Sequence, residues 1–389
     1  MSKLQELLDT LCPNGVEYRK IGELADYEQP TKYIVNNTDY DNSFTTPVLT
    51  AGQSFILGYT NETDGIYTAS KENPVIIFDD FTGAFKWVDF PFKVKSSAMK
   101  MLKANEDVAL LRYIFHLMGF LNFSSDEHKR LWISIYSEFS IPVPPLEVQS
   151  EIVRILDNFT ELTAELTAEL TARKQQYGYY RDNLLSFDDA PVMKLSDCCV
   201  TISDGDHQPP PKTSEGVPFI TISNITEYKR IDFSNTMFVA REYYDNLDTK
   251  RKAQVDDIIY TVVGSFGTPV FIDEDLEFVF QRHIAILRPN KEVVYPKYMY
   301  YAMQSSAFYR QADNAAKGAA QRTISLSSLN KMTIPVPSIE EQKKVVEILD
   351  RFDKLCNDIS EGLPAEIEAR QKQYAYYRDK LLSFKGVSE

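Results

Sequence analysis

Two hydrophobic rhythms alternate along the chain, and each occurs twice. Ile152, Leu156, Phe159, Leu162, Leu166 and Leu170 recur at three- and four-residue spacing, which draws one apolar stripe down an α-helix. Tyr177, Tyr180 and Leu184 continue it, and Val345, Ile348, Leu349, Phe352, Leu355 and Ile359 draw a counterpart. Pro144 and Pro145 stand before the first stripe, where the opening turn of a helix needs no backbone donor. Ser338 with Glu341 before the second has the form of a capping box. Gly362 and Pro364 predict a break before the last helix resumes.

Ahead of each stripe lies a region with the rhythm of strands. In the first, residues 75–78, 90–94 and 98–102 read as strands, Gly83 marks a bend, and 108–118 has the pattern of an apolar helix. In the second, 258–263, 269–272 and 283–287 read as strands around Gly264 and Gly267, followed by a helix over 296–310. Each region closes on an alternating segment, 131–139 and 324–332, predicted as a strand running into Ile-Pro-Val-Pro.

The repetition extends to the letters. Residues 141–159 (IPVPPLEVQSEIVRILDNF) and 334–352 (IPVPSIEEQKKVVEILDRF) agree at eleven of nineteen positions. Residues 173–187 (RKQQYGYYRDNLLSF) and 370–384 (RQKQYAYYRDKLLSF) agree at eleven of fifteen. Duplication is the reading these matches require. It divides the chain into globular regions at 1–140 and 188–333 and helical regions at 141–187 and 334–389. The fold class expected is α+β: two α/β regions alternating with two long helices that bury their stripes against each other as an antiparallel coiled coil, with approximate two-fold symmetry. The other packing open to these helices is each against its own globular region. A helix over 146–187 would be about 63 Å long at ~1.5 Å per residue. Residues 160–172 (TELTAELTAELTA) repeat every four residues with Leu162, Leu166 and Leu170 in register. The second copy uses 17 residues (353–369) where the first uses 13, a difference of one such unit. The helices therefore read as an adjustable ruler between two heads.

Composition narrows the class. At 389 residues, with 43% hydrophobic and 25% charged residues, the chain can bury sizeable cores. No run approaches a membrane span, residues 110–123 reading as a core helix, and the first residues lack the pattern of a signal peptide. The expected location is the cytoplasm. Cys12, Cys198, Cys199 and Cys356 have no zinc spacing and read as reduced structural thiols. The net charge is −14, and the four segments carry −6, −3, −3 and −2 in chain order, so none is basic. If the partner is nucleic acid, phosphate contacts must come from local patches or from another subunit.

Enzyme chemistry finds no support in the motifs. There is no Gly-x-x-x-x-Gly-Lys-Ser/Thr loop for ATP and no Asn/Asp-Pro-Pro-Tyr/Phe run of the kind adenine methyltransferases use. Residues 264–267 (GSFG) read as a bend between strands, and Asp79–Asp80 as a loop without the downstream partners of a metal nuclease.

The IPVPPLE-x-Q-x-x-IV-x-ILD run resembles the repeated conserved regions of type I restriction–modification specificity subunits (HsdS). The Thr-Ala-Glu-Leu array resembles the spacer-setting repeat of one subfamily, and QY-x-YYRD-x-LLSF resembles that family's helix ending. The likeness also takes in residues 11–18 (LCPNGVEY) and covers essentially the whole chain. It implies a non-catalytic subunit whose two target-recognition domains each read one part of a split double-stranded DNA sequence. It further implies two modification subunits that methylate adenine with S-adenosylmethionine, and restriction subunits that use ATP and Mg. No cofactor or metal is expected on this chain, and no membrane partner. The rival reading is a coiled-coil scaffold whose globular domains bind proteins.

Within the first recognition domain the nominated DNA contacts are Gln53, Ser54, Thr82, Lys86, Ser96, Ser97, Lys100, Lys129 and Arg130. In the second they are His207, Gln208, Ser265, Arg282, His283, Gln321 and Arg322. All are polar or basic groups near glycines or strand ends; arginine and lysine suit guanine's major-groove acceptors, glutamine suits adenine. His207 lies in the loop 204–211 (DGDHQPPP), which resembles one seen in many such domains, and His283 serves equally as a structural histidine. Helix pairing is assigned to Leu156, Phe159, Leu162, Leu166, Leu170, Leu349, Phe352 and Leu355.

Overall fold

The computed structural model describes residues 3–52, 54–123, 130–205, 208, 210–318 and 321–387. The chain divides into two compact units, Met1–Ala164 with Glu368–Glu389, and Glu165–Ile367. The first contains α1 (Lys3–Leu11), β1 (Glu17–Lys20), α2 (Ile21–Leu24), β2 (Ala25–Glu28), β3 (Thr46–Leu49), β4 (Ile56–Thr60), β5 (Val75–Asp79), β6 (Phe85–Val88), β7 (Lys93–Val94), β8 (Met99–Ala104), α3 (Leu111–Leu121), α4 (Leu131–Ser134) and β9 (Ser140–Val143). Helix α5 (Leu146–Leu184) begins in this unit and ends in the other. The second unit contains β10 (Val192–Lys194), α6 (Leu195–Cys198), β11 (Cys199–Asp204), β12 (Lys212–Thr213), β13 (Val217–Ile220), β14 (Met237–Val239), α7 (Arg241–Asp245), β15 (Ile258–Thr261), β16 (Pro269–Phe271), β17 (Val279–Phe280), β18 (Ile284–Pro289), α8 (Pro296–Ala302), α9 (Ser306–Ala315), α10 (Leu326–Lys331), β19 (Thr333–Pro335) and α11 (Ile339–Asn357). The final helix, α12 (Leu363–Leu382), again has residues in both units.

The two units share one plan. A four-stranded antiparallel sheet, β2-β8-β5-β6 in the first and β11-β18-β15-β16 in the second, forms the centre. A smaller sheet covers one face, β4-β3-β7 or β12-β14-β13-β17, and each contains one parallel pairing among the described residues, β3 with β7 or β13 with β17. Strand β5 is buried on both faces, which is why it reads as an unbroken apolar run rather than an alternation. Ile76 and Phe78 pack with α3, while Val75 and Ile77 pack with the smaller sheet. In β15, Ile258 and Tyr260 pack with α8 and Ile259 with the smaller sheet in the same way.

Some elements differ from expectation. Residues 131–139 and 324–332 are not closing strands: short helices α4 and α10 lie there, and the strands come after them, around Ile-Pro, paired as β9 with β1 and β19 with β10. Leu131, Trp132 and Tyr136 are buried while Ile133 is exposed, so the apolar positions follow a helical face that short alternation mimics. The helix expected over 296–310 is interrupted, and Ser305 caps α9 by accepting from the Phe308 amide. Only Lys93–Val94 of the run 90–94 joins a sheet.

The repeated helices hold each globular region by the same polar latch. In the first unit the Gln149 amide donates to the Val108 and Pro144 carbonyls and accepts from the Leu110 amide. In the second Gln342 donates to the Pro337 carbonyl and accepts from the Tyr295 amide. Tyr113 and Tyr298 each donate to the carbonyl of the second residue of Ile-Pro-Val-Pro, Pro142 and Pro335. Two turns on, Asp157 takes Arg112 and His116, whereas Asp350 takes Lys297 and Tyr301. His116 is fully buried; burial pulls its pKa below 6.5 despite the opposing pull of Asp157. A third element joins at each latch. In the first unit Tyr374 bonds His116 Nδ1 at 3.0 Å and Tyr377 stacks on Phe159 at 5.2 Å. In the second Tyr180 stacks on Phe352 at 5.5 Å. Each unit thus takes its Phe from one repeat and its Tyr from the other.

Candidate nucleic-acid interface

In both units three loops meet beyond the ends of the central strands and are tied by the same three backbone hydrogen bonds. In the second, the Val262 amide donates to the His283 carbonyl (2.9 Å), the Ile324 amide to the Val262 carbonyl (2.8 Å) and the Ile284 amide to the Gln281 carbonyl (3.0 Å). In the first, the Asp80 amide donates to the Ala98 carbonyl (2.9 Å), the Leu131 amide to the Asp80 carbonyl (2.8 Å) and the Met99 amide to the Ser96 carbonyl (3.4 Å). A hairpin tip, a tight turn and the segment leading into a short helix are therefore locked together twice, on different sequences. This fixed backbone lets the exposed side chains differ while their origins stay put.

In the second unit the cluster gathers Arg282, His283 and Gln321 around one depression that Asp204, Val262 and Thr323 also line. Ser265 is exposed on the hairpin tip, which Gly264 (φ +67°) and Gly267 (φ +98°) let turn back. A Cβ on Gly267 would come within 2.9 Å of the Tyr309 ring. Arg322 is exposed, with its guanidinium bonded to the Asp313 side chain at 2.7 Å and lying over the Phe266 ring at 5.1 Å. Gln208 is exposed, on the loop that leaves the sheet at Gly205, where a Cβ would strike the Phe280 carbonyl at 2.1 Å.

In the first unit Thr82 and Lys86 are exposed on the β5–β6 hairpin, Ser96 and Ser97 on the turn before β8, Arg130 on the segment before α4, and Ser54 on the β3–β4 loop. The Asp79 carboxylate accepts from the Phe81 and Thr82 amides at 2.9 Å, which shapes the hairpin tip. That bonding gives the Asp79–Asp80 pair a structural role. Lys100 is 1% exposed and forms an interior ion pair with Asp80 at 3.3 Å, its ammonium 4.2 Å from the Tyr27 ring centre. Its sequence position, one residue into an alternating strand, suggested a surface cation; the strand is covered on both faces, so this ammonium points inward. Gln53, Lys129 and His207 lie outside the described residues.

Three groups at these clusters escaped the sequence reading. Lys95 is exposed beside Ser96, with the alternation in Lys93-Val94-Lys95 as its only signal. Phe81 is 41% exposed at the hairpin tip. Asp313 sits in a helix, and nothing in the sequence ties it to Arg322.

Of the helix-pairing residues, Leu156 and Leu349 are fully buried, Leu170 and Phe352 pack against the second unit's core, and Phe159 makes the stack with Tyr377. Leu162 and Leu166 are half-buried and Leu355 is 38% exposed. Among the described residues no group of three His, Cys, Asp or Glu side chains could hold a metal ion, and no helix is long and apolar enough to cross a membrane.

Comparison with known proteins places this repeated architecture in a family. The sequence model of the family described as Type I restriction modification DNA specificity domain matches residues 13–173 and again 192–369, and the chain belongs to that family. It is 45% identical over 404 aligned residues to the type I restriction enzyme EcoR124I/EcoR124II specificity subunit of Escherichia coli, covering 99% of this chain and 97% of that one. A putative type I restriction enzyme specificity subunit of Haemophilus influenzae is 32% identical over 356 residues, covering 85% of this chain and 86% of that one. The fold matches the crystal structure of a type I restriction–modification S subunit from M. genitalium with a TM-score of 0.59 at 15% identity, covering 95% of this chain and 96% of that one.

Proposed function

We propose that this chain is the non-catalytic DNA-specificity subunit of a type I restriction–modification complex, each globular head reading one part of a split DNA site. The observation that carries the reading is the pair of three-loop clusters: the same backbone bonds hold different exposed polar and basic side chains in the two heads. A protein-binding scaffold would present apolar patches there, whereas Ser96, Ser97 and Lys86, and Ser265, Arg282 and Gln321, are polar. Phosphate contacts give affinity and base-edge contacts give choice, so two rigid heads on one chain specify two short sequences separated by a gap. The helices pair as an antiparallel coil that sets this gap, and two modification subunits dock on them. Tyr179 and Tyr376, at equivalent repeat positions and 66% and 62% exposed, suit two copies of one partner. S-adenosylmethionine, ATP and Mg belong to the modification and restriction subunits, which also supply positive charge that a chain of −14 lacks. The working compartment is the cytoplasm.

Co-expression with the modification subunit, followed by single-molecule sequencing of methyladenine in host DNA, tests this. A split motif with a fixed gap that disappears when this chain is deleted is the expected result. Partner binding with no change in methylation would favour the scaffold.

A further inference from the structure

We infer that Arg282 is the guanine-reading residue of the second head, and that Arg322 beside it is a positioning residue. This rests on the functional reading above and assigns roles within it. Two arginines stand at the three-loop cluster of the second unit, and the structure treats them differently. Arg322 is neutralised by Asp313, which accepts from it at 2.7 Å, and its guanidinium covers Phe266. Phe266 in turn stacks on Tyr309 with an interplanar angle of 14°. The pair and the stack tie the segment before α10 to the hairpin tip and to α9. A guanidinium so occupied has little left to offer a base.

Arg282 has no carboxylate within ion-pair distance among the described residues and is exposed. Its backbone is the fixed turn between β17 and β18, pinned on one side by the Ile284-to-Gln281 bond and on the other by the Val262-to-His283 bond. It shares its depression with the Gln321 amide and the His283 ring, both groups that recognise base edges rather than phosphate alone. An exposed planar fork on a rigid turn matches the O6 and N7 acceptors of guanine, and rigidity is what distinguishes base reading from the looser demands of phosphate. The equivalent position in the first head, one residue before the turn residue whose carbonyl accepts from the hairpin, is Ser97. The framework is shared and this side chain is not, which is where a difference in sequence choice belongs.

The test uses the complex with its modification subunits, comparing wild type, Arg282→Ala and Arg282→Lys by single-molecule sequencing of methyladenine. Wild type should show at least one fixed G·C pair in one half-site. Arg282→Ala and Arg282→Lys should both relax that position, with about a tenfold to hundredfold loss of discrimination against other bases. The other half-site and the gap should not change. Lysine keeps the charge but loses the fork, so relaxation by Arg282→Lys separates base reading from charge. Arg322→Ala should lower methylation across the whole half-site without relaxing one position. The inference is overturned if Arg282→Ala keeps the full motif and only weakens binding with a flatter salt dependence, the mark of a phosphate contact. It is equally overturned if neither half-site of the wild type contains a G·C pair, or if both variants methylate as wild type does. Absence of any split motif from the wild-type complex would instead defeat the functional reading beneath it.

Discussion

Lys100 and His116 show how a side chain's neighbours reverse the role its letter suggests. Lys100 sits where Ala285 sits in the other head, and Asp80 where Val262 sits, so one head has an ion pair where the other has only apolar contacts. Removing one partner leaves the other charge buried, which costs about 3–5 kcal/mol. Lys100→Ala should therefore lower the unfolding free energy of the first unit by that order, read from urea or thermal melts, while Lys100→Ala with Asp80→Asn, which removes the charge but keeps an acceptor for the Trp132 amide, recovers part of it. If Lys100→Ala melts as wild type, the ion pair contributes nothing. His116 makes a second prediction. Burial lowers its pKa in the folded chain, so the folded state binds fewer protons than the unfolded one as pH falls through 6.5. Stability is fully present above 6.5 and declines below it, by at most ~1.4 kcal/mol per pH unit, until the folded histidine itself takes a proton. His116→Gln should remove this slope from the melt of the first unit. The second unit, where Tyr301 fills the equivalent place, should lack it. A slope that persists in the variant would assign it to another group.

At the scale of elements, the central feature is a helix that serves two units. The stripe, the capping box at Ser338 and the break at Gly362 were all legible, because each depends on local spacing and backbone chemistry. The capping box forms as expected, with Ser338 and Glu341 exchanging bonds. Gly362 is required because a Cβ would meet the Asp358 and Lys354 carbonyls at 2.6 Å. Inserting one more Thr-Ala-Glu-Leu after Leu170 adds about 6 Å and a little more than one turn, so the leucine stripe keeps its face. The insertion should lengthen the gap between half-sites while leaving both half-sites unchanged, read by methyladenine sequencing. A changed half-site with an unchanged gap would refute the ruler. The short helices α4 and α10 were misread as strands because four to nine residues of alternation do not distinguish a strand from one helical turn.

For the whole molecule, each unit has its own cores, its own latch and its own three-loop cluster. Replacing residues 188–333 with the corresponding region of another such chain should change one half-site only. Changes in both halves would mean the heads do not read independently. The latch residues Gln149, Gln342, Asp157 and Asp350 lie in or at the edge of the repeated helices, not in the exchanged region, so a foreign head meets the same acceptors and donors.

Duplication, helix stripes, the domain alternation and the family likeness follow from the sequence alone, because spacing and repeated letters survive without coordinates. What only the tertiary structure decided concerns partners distant along the chain. Asp313 neutralises Arg322, Asp80 draws Lys100 inside, and Tyr377 and Tyr180 cross to the Phe of the opposite repeat. None of these follows from local pattern, since a charge or a ring carries no mark of which remote group the fold will set beside it. For the same physical reason sixteen polar residues could be nominated as DNA contacts from their letters, but only the packed loops separate Arg282, without a carboxylate partner among the described residues, from the occupied Arg322.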